Sequence, residues 1–104
     1  MLQVTKNQSG GAVEVVLGES FEIQLPENPT TGYRWQLRSS GEPILEVQDD
    51  SFQPTTDRPG AGGMRRWRFR AGQEGATNLQ IEYRRSWEKA AVETFQISVR
   101  VKPR

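Results

Sequence analysis

Alternation constrains this chain more than any other feature. Apolar residues recur at every second position in Val13, Val15 and Leu17, in Phe21, Ile23 and Leu25, and in Tyr33, Trp35 and Leu37. The same rhythm returns in Trp67, Phe69 and Ala71, in Leu79, Ile81 and Tyr83, and in Phe95, Ile97, Val99 and Val101. A period of two marks strands with one dry face and one wet face, because successive side chains leave a strand on opposite sides. A helix cannot use this pattern, since its buried stripe needs spacings of three and four. A first strand near Leu2–Lys6 and a weaker strand region from Ile44 to Gln53, bent near Asp49 and Asp50, complete a set of about eight strands. No helix is predicted, and Glu88–Val92 has room for one turn at most.

Turn chemistry punctuates the strands. Gly18-Glu19 reads as a two-residue hairpin loop with glycine first. Gly10-Gly11, Gly72 and Gly75 mark further reversals. Short strands separated by turns roughly every 8–12 residues point to an all-β sandwich of two antiparallel sheets, of about seven or eight strands. The chain has 104 residues, which fits a single domain over 1–104. A domain of this length buries roughly 60–70% of the surface its unfolded chain exposes.

Composition excludes several classes of function. The net charge of +1 gives no long-range attraction to nucleic acid or to an anionic membrane. Arg66, Arg68 and Arg70 form a stripe, but Glu22, Glu82, Arg34 and Arg38 fall on outward positions of other strands. That makes a mixed, solvated sheet face with cross-strand pairs, and no aromatic residue interleaves with it as single-strand binding requires. No run of about 20 apolar residues is present to span a membrane. The chain has no cysteine and no histidine, which excludes disulfides and cysteine–histidine metal sites. It also lacks the commonest general base and the best nucleophile, so no metal, cofactor or catalytic residue is expected and the chain does not read as an enzyme. Met1-Leu2-Gln3-Val4 has neither a basic nor an apolar leader region. The expected compartment is therefore the cytoplasm, or the periplasm or exterior if a leader has been removed.

If every connection reverses the chain, every second connection lies at the same end of the sandwich. The connections at 26–32, 54–63 and 85–92 follow the third, fifth and seventh strands, so all three emerge together. They are also the three odd ones in composition: "PENPTTG", "PTTDRPGAGG" and "RSWEKAA". Loops gathered at one end of a rigid sandwich are a general means of presenting a recognition surface.

Each loop has its own chemistry. Pro29 fixes its own φ and holds Asn28 extended. Thr30 and Thr31 are β-branched and stiff, and Gly32 allows a positive φ. Together they describe a narrow, polar, pre-organised wedge, and equally a plain turn in which Asn28 bonds its own backbone. Gly60, Ala61, Gly62 and Gly63 leave backbone with little side chain, suited to lying flat on a partner or simply to turning. Trp87 falls just past the seventh strand, with Arg85 two residues earlier. Exposed tryptophan with arginine is a common hot-spot composition at interfaces, while the alternative is a tryptophan folded back on the end of the sandwich. Trp35 and Trp67 are in phase with apolar neighbours and belong to the core.

In combination these segments resemble the chagasin family of cysteine-peptidase inhibitors. Three family signatures, Asn-Pro-Thr-Thr-Gly-aromatic, a Gly-Gly segment and Arg-Pro-Trp, stand here as "NPTTGY" at 28–33, "GAGG" at 60–63 and "RSW" at 85–87. Order and spacing agree over almost the whole chain. Ser86 departs from the pattern, since the family usually has proline there. The resemblance implies an immunoglobulin-like sandwich that occludes papain-like cysteine peptidases reversibly and without a covalent step, and a monomeric inhibitor. It further implies that Asn28, Pro29, Thr30, Thr31 and Gly32 form the central wedge, with Thr31 nearest the peptidase cysteine, and that Tyr33 is a further peptidase-binding residue. Gly60, Ala61, Gly62 and Gly63 would lie along the non-primed side, and Arg85 and Trp87 would clamp the opposite wall. A binding or adhesion module, or a carbohydrate-recognition domain, using the same loops is the alternative reading.

Overall fold

The computed structural model describes every residue from Met1 to Arg104 except Asp57 and Pro59. The alternating rows become eight strands: β1 (Leu2–Thr5), β2 (Ala12–Val16), β3 (Ser20–Glu27), β4 (Tyr33–Ser39), β5 (Leu45–Pro54), β6 (Gly63–Ala71), β7 (Gly75–Arg85) and β8 (Glu93–Lys102). Helical backbone among the described residues is confined to two single 3-10 turns, Lys6–Gln8 and Pro29–Thr31.

The strands form two four-stranded sheets, β1-β3-β6-β5 and β2-β8-β7-β4. Neighbours pair antiparallel except β1 with β3 and β2 with β8, each a parallel pair at a sheet edge. Strict reversal at each connection produces this result, because β1 and β3 are both odd strands and β2 and β8 both even. The order is that of an immunoglobulin sandwich. The first sheet takes the places of strands A, B, E and D, and β4, β7 and β8 take those of C, F and G, with β2 added beside β8.

The Gly18-Glu19 turn forms, but it does not close a hairpin. Glu19 N–H donates to Val16 O (2.9 Å), while β2 and β3 belong to different sheets. The turn is a corner between layers, and Gly18 N–H and Glu19 O both bond Ala71 at the end of β6. Turn residues report that the chain reverses and not which sheet it enters next. The bend expected at Asp49-Asp50 appears as a register shift between Val47 and Asp49 in the pairing of β5 with β6.

The core is the set of inward rows. Phe21, Ile23, Leu25, Phe69, Ala71, Leu79 and Ile81 are completely buried, and Trp35 and Trp67 are nearly so. Phe21 and Phe69 are cross-strand partners with rings stacked at 5.5 Å. Burying one such side chain stabilises by about 1.5–3 kcal/mol relative to leaving it in water. Val13, Leu17, Leu37 and Tyr83 pack only partly buried against this cluster, where the inward rows reach the sandwich rim. On the outward face Arg68 pairs with Glu22 (3.2 Å) and Arg70 with Glu46 (3.3 Å), so most of the arginine stripe is a cross-strand charge ladder, although Glu22 is buried rather than solvated.

Candidate functional site

The three odd loops meet. Asn28 Nδ2 donates to Gly60 O at 3.2 Å, joining the first loop to the second. Arg85 Nε donates to Thr31 O at 3.3 Å, joining the first loop to the third. The first loop therefore sits between the other two.

Its shape is fixed by its own residues. Asn28 is extended and its side-chain oxygen accepts from Thr30 N–H (3.2 Å) and from the Thr30 hydroxyl (2.6 Å). Pro29 takes the first helical position, where a missing N–H costs nothing. The Thr31 hydroxyl donates to Asn28 O (2.8 Å) and accepts from Tyr33 N–H (3.2 Å). Gly32 closes the turn at φ +83°, with its N–H on Pro29 O (3.1 Å). The plain asparagine turn and the pre-organised wedge are the same object: the local bonds make the loop stiff. Both threonines are exposed at its tip with their hydroxyls already committed inside it.

A side chain at position 32 would be strained by the positive φ, and its Cβ would come within 3.0 Å of the Trp87 ring. Trp87 stands against the wedge at this point and is still 71% exposed, so it is not folded back into the core. Arg85 lies over Tyr33 at 4.4 Å from the ring centre and 5.8 Å from that of Trp87. Tyr33 in turn packs on Tyr83 (5.4 Å), and Tyr83 stacks on Trp35 (4.7 Å). A column of aromatic and guanidinium planes thus runs from the core to the exposed tryptophan. Glu88 closes the third loop, since its N–H bonds Arg85 O (3.1 Å) and its carboxylate holds Arg85 Nη1 (3.3 Å).

The glycine segment divides. Gly60 is exposed and an added Cβ there would meet open space. Ala61 and Gly62 are half-buried, and a Cβ on Gly62 would come within 3.2 Å of Glu27 O. Gly63 lies inside β6, buried, paired with Glu27 on one side and Pro54 on the other. Its backbone is taken up by the sheet, and a Cβ would strike Gln53 O at 2.2 Å. Residues 60–62 lie outside the sheet with Gly63 as their anchor, and Gly60 O accepts from Asn28 while Gly62 O accepts from the Thr55 N–H (3.2 Å) and hydroxyl (2.9 Å); Asp57 and Pro59, earlier in the loop, lie outside the described residues.

Sequence reasoning missed the charges beneath the loops. Glu27 has no exposed side chain, yet it carries a carboxylate that binds Arg65 Nη2 (2.8 Å) and Nε (3.3 Å) and accepts from Trp35 N–H (2.8 Å). Arg65 also reaches Asp50 (3.2 Å) and lies over Phe52. Burial opposes the charge on Arg65, but hydrogen bonds and charge from Glu27, then Asp50, outweigh it and raise its pKa above the ordinary arginine value. A signal was available. Glu27 is in phase with Phe21, Ile23 and Leu25, and Arg65 is in phase with Trp67 and Phe69, so opposite charges stand in the core rows of neighbouring strands.

Residues 14–99 match the family model described as the chagasin family peptidase inhibitor I42. The chain belongs to the chagasin family of peptidase inhibitors. It is similar to chagasin of Trypanosoma cruzi, 31% identical over 105 residues that cover 96% of each chain. Amoebiasin-1 of Entamoeba histolytica is 30% identical over 101 residues, covering 96% of this chain and 99% of that one. The crystal structure of the Entamoeba histolytica cysteine protease inhibitor EhICP2 shares the fold, with a TM-score of 0.87 at 21% identity over 97% of this chain and 95% of the other. These relatives are inhibitors of peptidases and not enzymes. Three of this chain's loops carry the residues that resemble the family signatures, Ser86 in place of proline included.

Proposed function

We propose that this chagasin-family protein inhibits papain-like cysteine peptidases by occluding the cleft, reversibly and without a covalent bond. The observation that carries the reading is the central wedge: Asn28–Gly32, internally bonded and flanked on one side by Gly60 and on the other by Arg85 and Trp87. A papain-like site holds a thiolate beside an imidazolium at the floor of a long cleft. A blocker of such a site needs a thin central element and contacts on both walls, and it needs no nucleophile of its own. A loop already bonded in its working shape loses little entropy on entering the cleft. Its peptide bonds, tied into a 3-10 turn, resist the extended geometry that cleavage requires.

In this reading Thr31 approaches the peptidase cysteine, and residues 60–62 lie along the non-primed side. Trp87 covers the opposite wall, with Arg85 bracing it from behind as well as facing the partner. The inhibitor acts as a monomer, one free end per cleft. The test is a steady-state titration of papain with the purified protein, with a serine peptidase in parallel. Progressive loss of papain activity, recovered on dilution with the inhibitor chain uncut, is the expected result. Undiminished papain activity beside a folded protein, or equal inhibition of the serine peptidase, would overturn the proposal.

A further inference from the structure

A buried ion pair at a core-facing position is a poor way to stabilise a sandwich. Two charges removed from water recover their desolvation only through close pairing, and an apolar pair of similar size usually does as well. The first two inward pairs of β3 and β6 follow that rule: Phe21 faces Phe69, and Ile23 faces Trp67. The rows change at the end of the sheet beneath the loops, where Leu25 faces Arg65 and Glu27 faces Gly63, so that Glu27 and Arg65 stand diagonally across the same two rows.

The bonds made there connect the feet of the loops. Glu27 is the last residue of β3 and leads directly into the wedge; Trp35 stands in β4, where the chain returns from it. Glu27 accepts the Trp35 N–H at 2.8 Å, and Trp35 Nε1 donates back to Pro26 O at 2.8 Å. These two bonds cross from one sheet to the other and set the spacing of the wedge's feet. Arg65 joins Glu27 to the second loop, since it belongs to β6, which leaves that loop, and grips Asp50 on β5, which enters it.

We propose that Glu27 is a positioning residue for inhibition: its buried carboxylate sets the spacing of the wedge's feet and, through Arg65, holds the first and second loops in register. It does not touch the peptidase. The inference rests on the occlusion reading, and its test separates the two. Glu27→Ala removes all the carboxylate's bonds; Glu27→Gln, the milder change, keeps an acceptor for Trp35 but cannot serve Arg65 as a charge. Two quantities are measured on each folded variant, at a temperature well below its melting point: the papain inhibition constant, and amide hydrogen exchange at Thr31 and Gly32 with no peptidase present. The expected result is an inhibition constant about tenfold higher, with exchange at Thr31 and Gly32 accelerated while that of the central strands β7 and β8 is unchanged. Trp87→Ala supplies the contrast, weakening inhibition without faster exchange at Thr31. Unchanged exchange at Thr31 and Gly32 in Glu27→Gln would overturn the inference. So would exchange accelerated uniformly across the molecule, which marks a residue that is merely structural. If the unaltered protein leaves papain active, the occlusion reading fails, and the exchange measurement still decides whether Glu27 sets the loop.

Discussion

Trp87 is the side chain whose removal should tell most. It is 71% exposed and touches the wedge at Gly32, so truncation leaves the core intact. Trp87→Ala is expected to raise the papain inhibition constant by the equivalent of about 2 kcal/mol, roughly thirtyfold, with the melting temperature unchanged. An inhibition constant that stays put would remove Trp87 from the contact surface. Gly32→Ala acts on the same joint from the other side. Backbone strain at φ +83° costs about 1 kcal/mol or more, and the new methyl pushes Trp87 outward, so inhibition and stability should both fall. Stability lost with inhibition intact would show that the two loops act independently. At this scale the sequence told part of the story. Trp35 and Trp67 were legible as core residues because they keep phase with their neighbours. The stacking of Arg85 on Tyr33 was not, because pairing at long sequence separation leaves no trace in a local pattern. Tyr33 is consequently a platform beneath Arg85.

Among the elements, the third loop carries the departure from the family pattern. Arg85–Glu88 form a turn closed by Glu88 N–H on Arg85 O, which puts Ser86 at the second position, where proline is favoured. Ser86→Pro should tighten inhibition about two- to fivefold, the effect of roughly 0.4–1 kcal/mol of chain entropy removed in advance. Weaker inhibition would mean that serine supplies something proline cannot. Edge strand β2 offers a separate check. The Glu14 carboxyl is held below its ordinary range by a hydrogen bond and charge from Lys102 at 2.6 Å on β8. A carboxyl lowered on folding contributes stability above its unfolded pKa and loses it as pH falls through the folded value. Glu14→Gln should therefore have a slightly lower denaturation midpoint at neutral pH, with the difference vanishing at strongly acid pH. A difference that persists in acid would exclude the charge as its origin. The strand content was legible almost throughout, since period two survives in the inward rows of β3, β6 and β8, and is weakest in β5, where the register shifts between Val47 and Asp49. The Gly18-Glu19 corner was not, because a local turn looks alike whether the next strand joins the same sheet or the opposite one.

At the scale of the whole molecule, the odd–even rule of strand direction brings three distant segments to one end. Bonds from Asn28 to Gly60 and from Arg85 to Thr31 then make them one surface. A typical protease–inhibitor contact of about 1,600 Å² takes about 800 Å² from each partner. That is roughly an eighth of the 6283 Å² this chain exposes, an area within reach of one end of the sandwich. Parity reasoning could place the loops together because it needs only the strand count. It could not find the Glu27–Arg65 pair beneath them, because the pattern was searched for apolar residues and not for opposite charges in apolar rows. The central claim is that the loop end enters the cleft itself. It is tested most directly by comparing binding to free papain with binding to papain whose cleft is filled by a covalently attached peptidyl group on its cysteine. Occlusion predicts tight binding to the free enzyme and its loss on the filled one. Equal affinity for both would contradict it, and would place the contact outside the cleft.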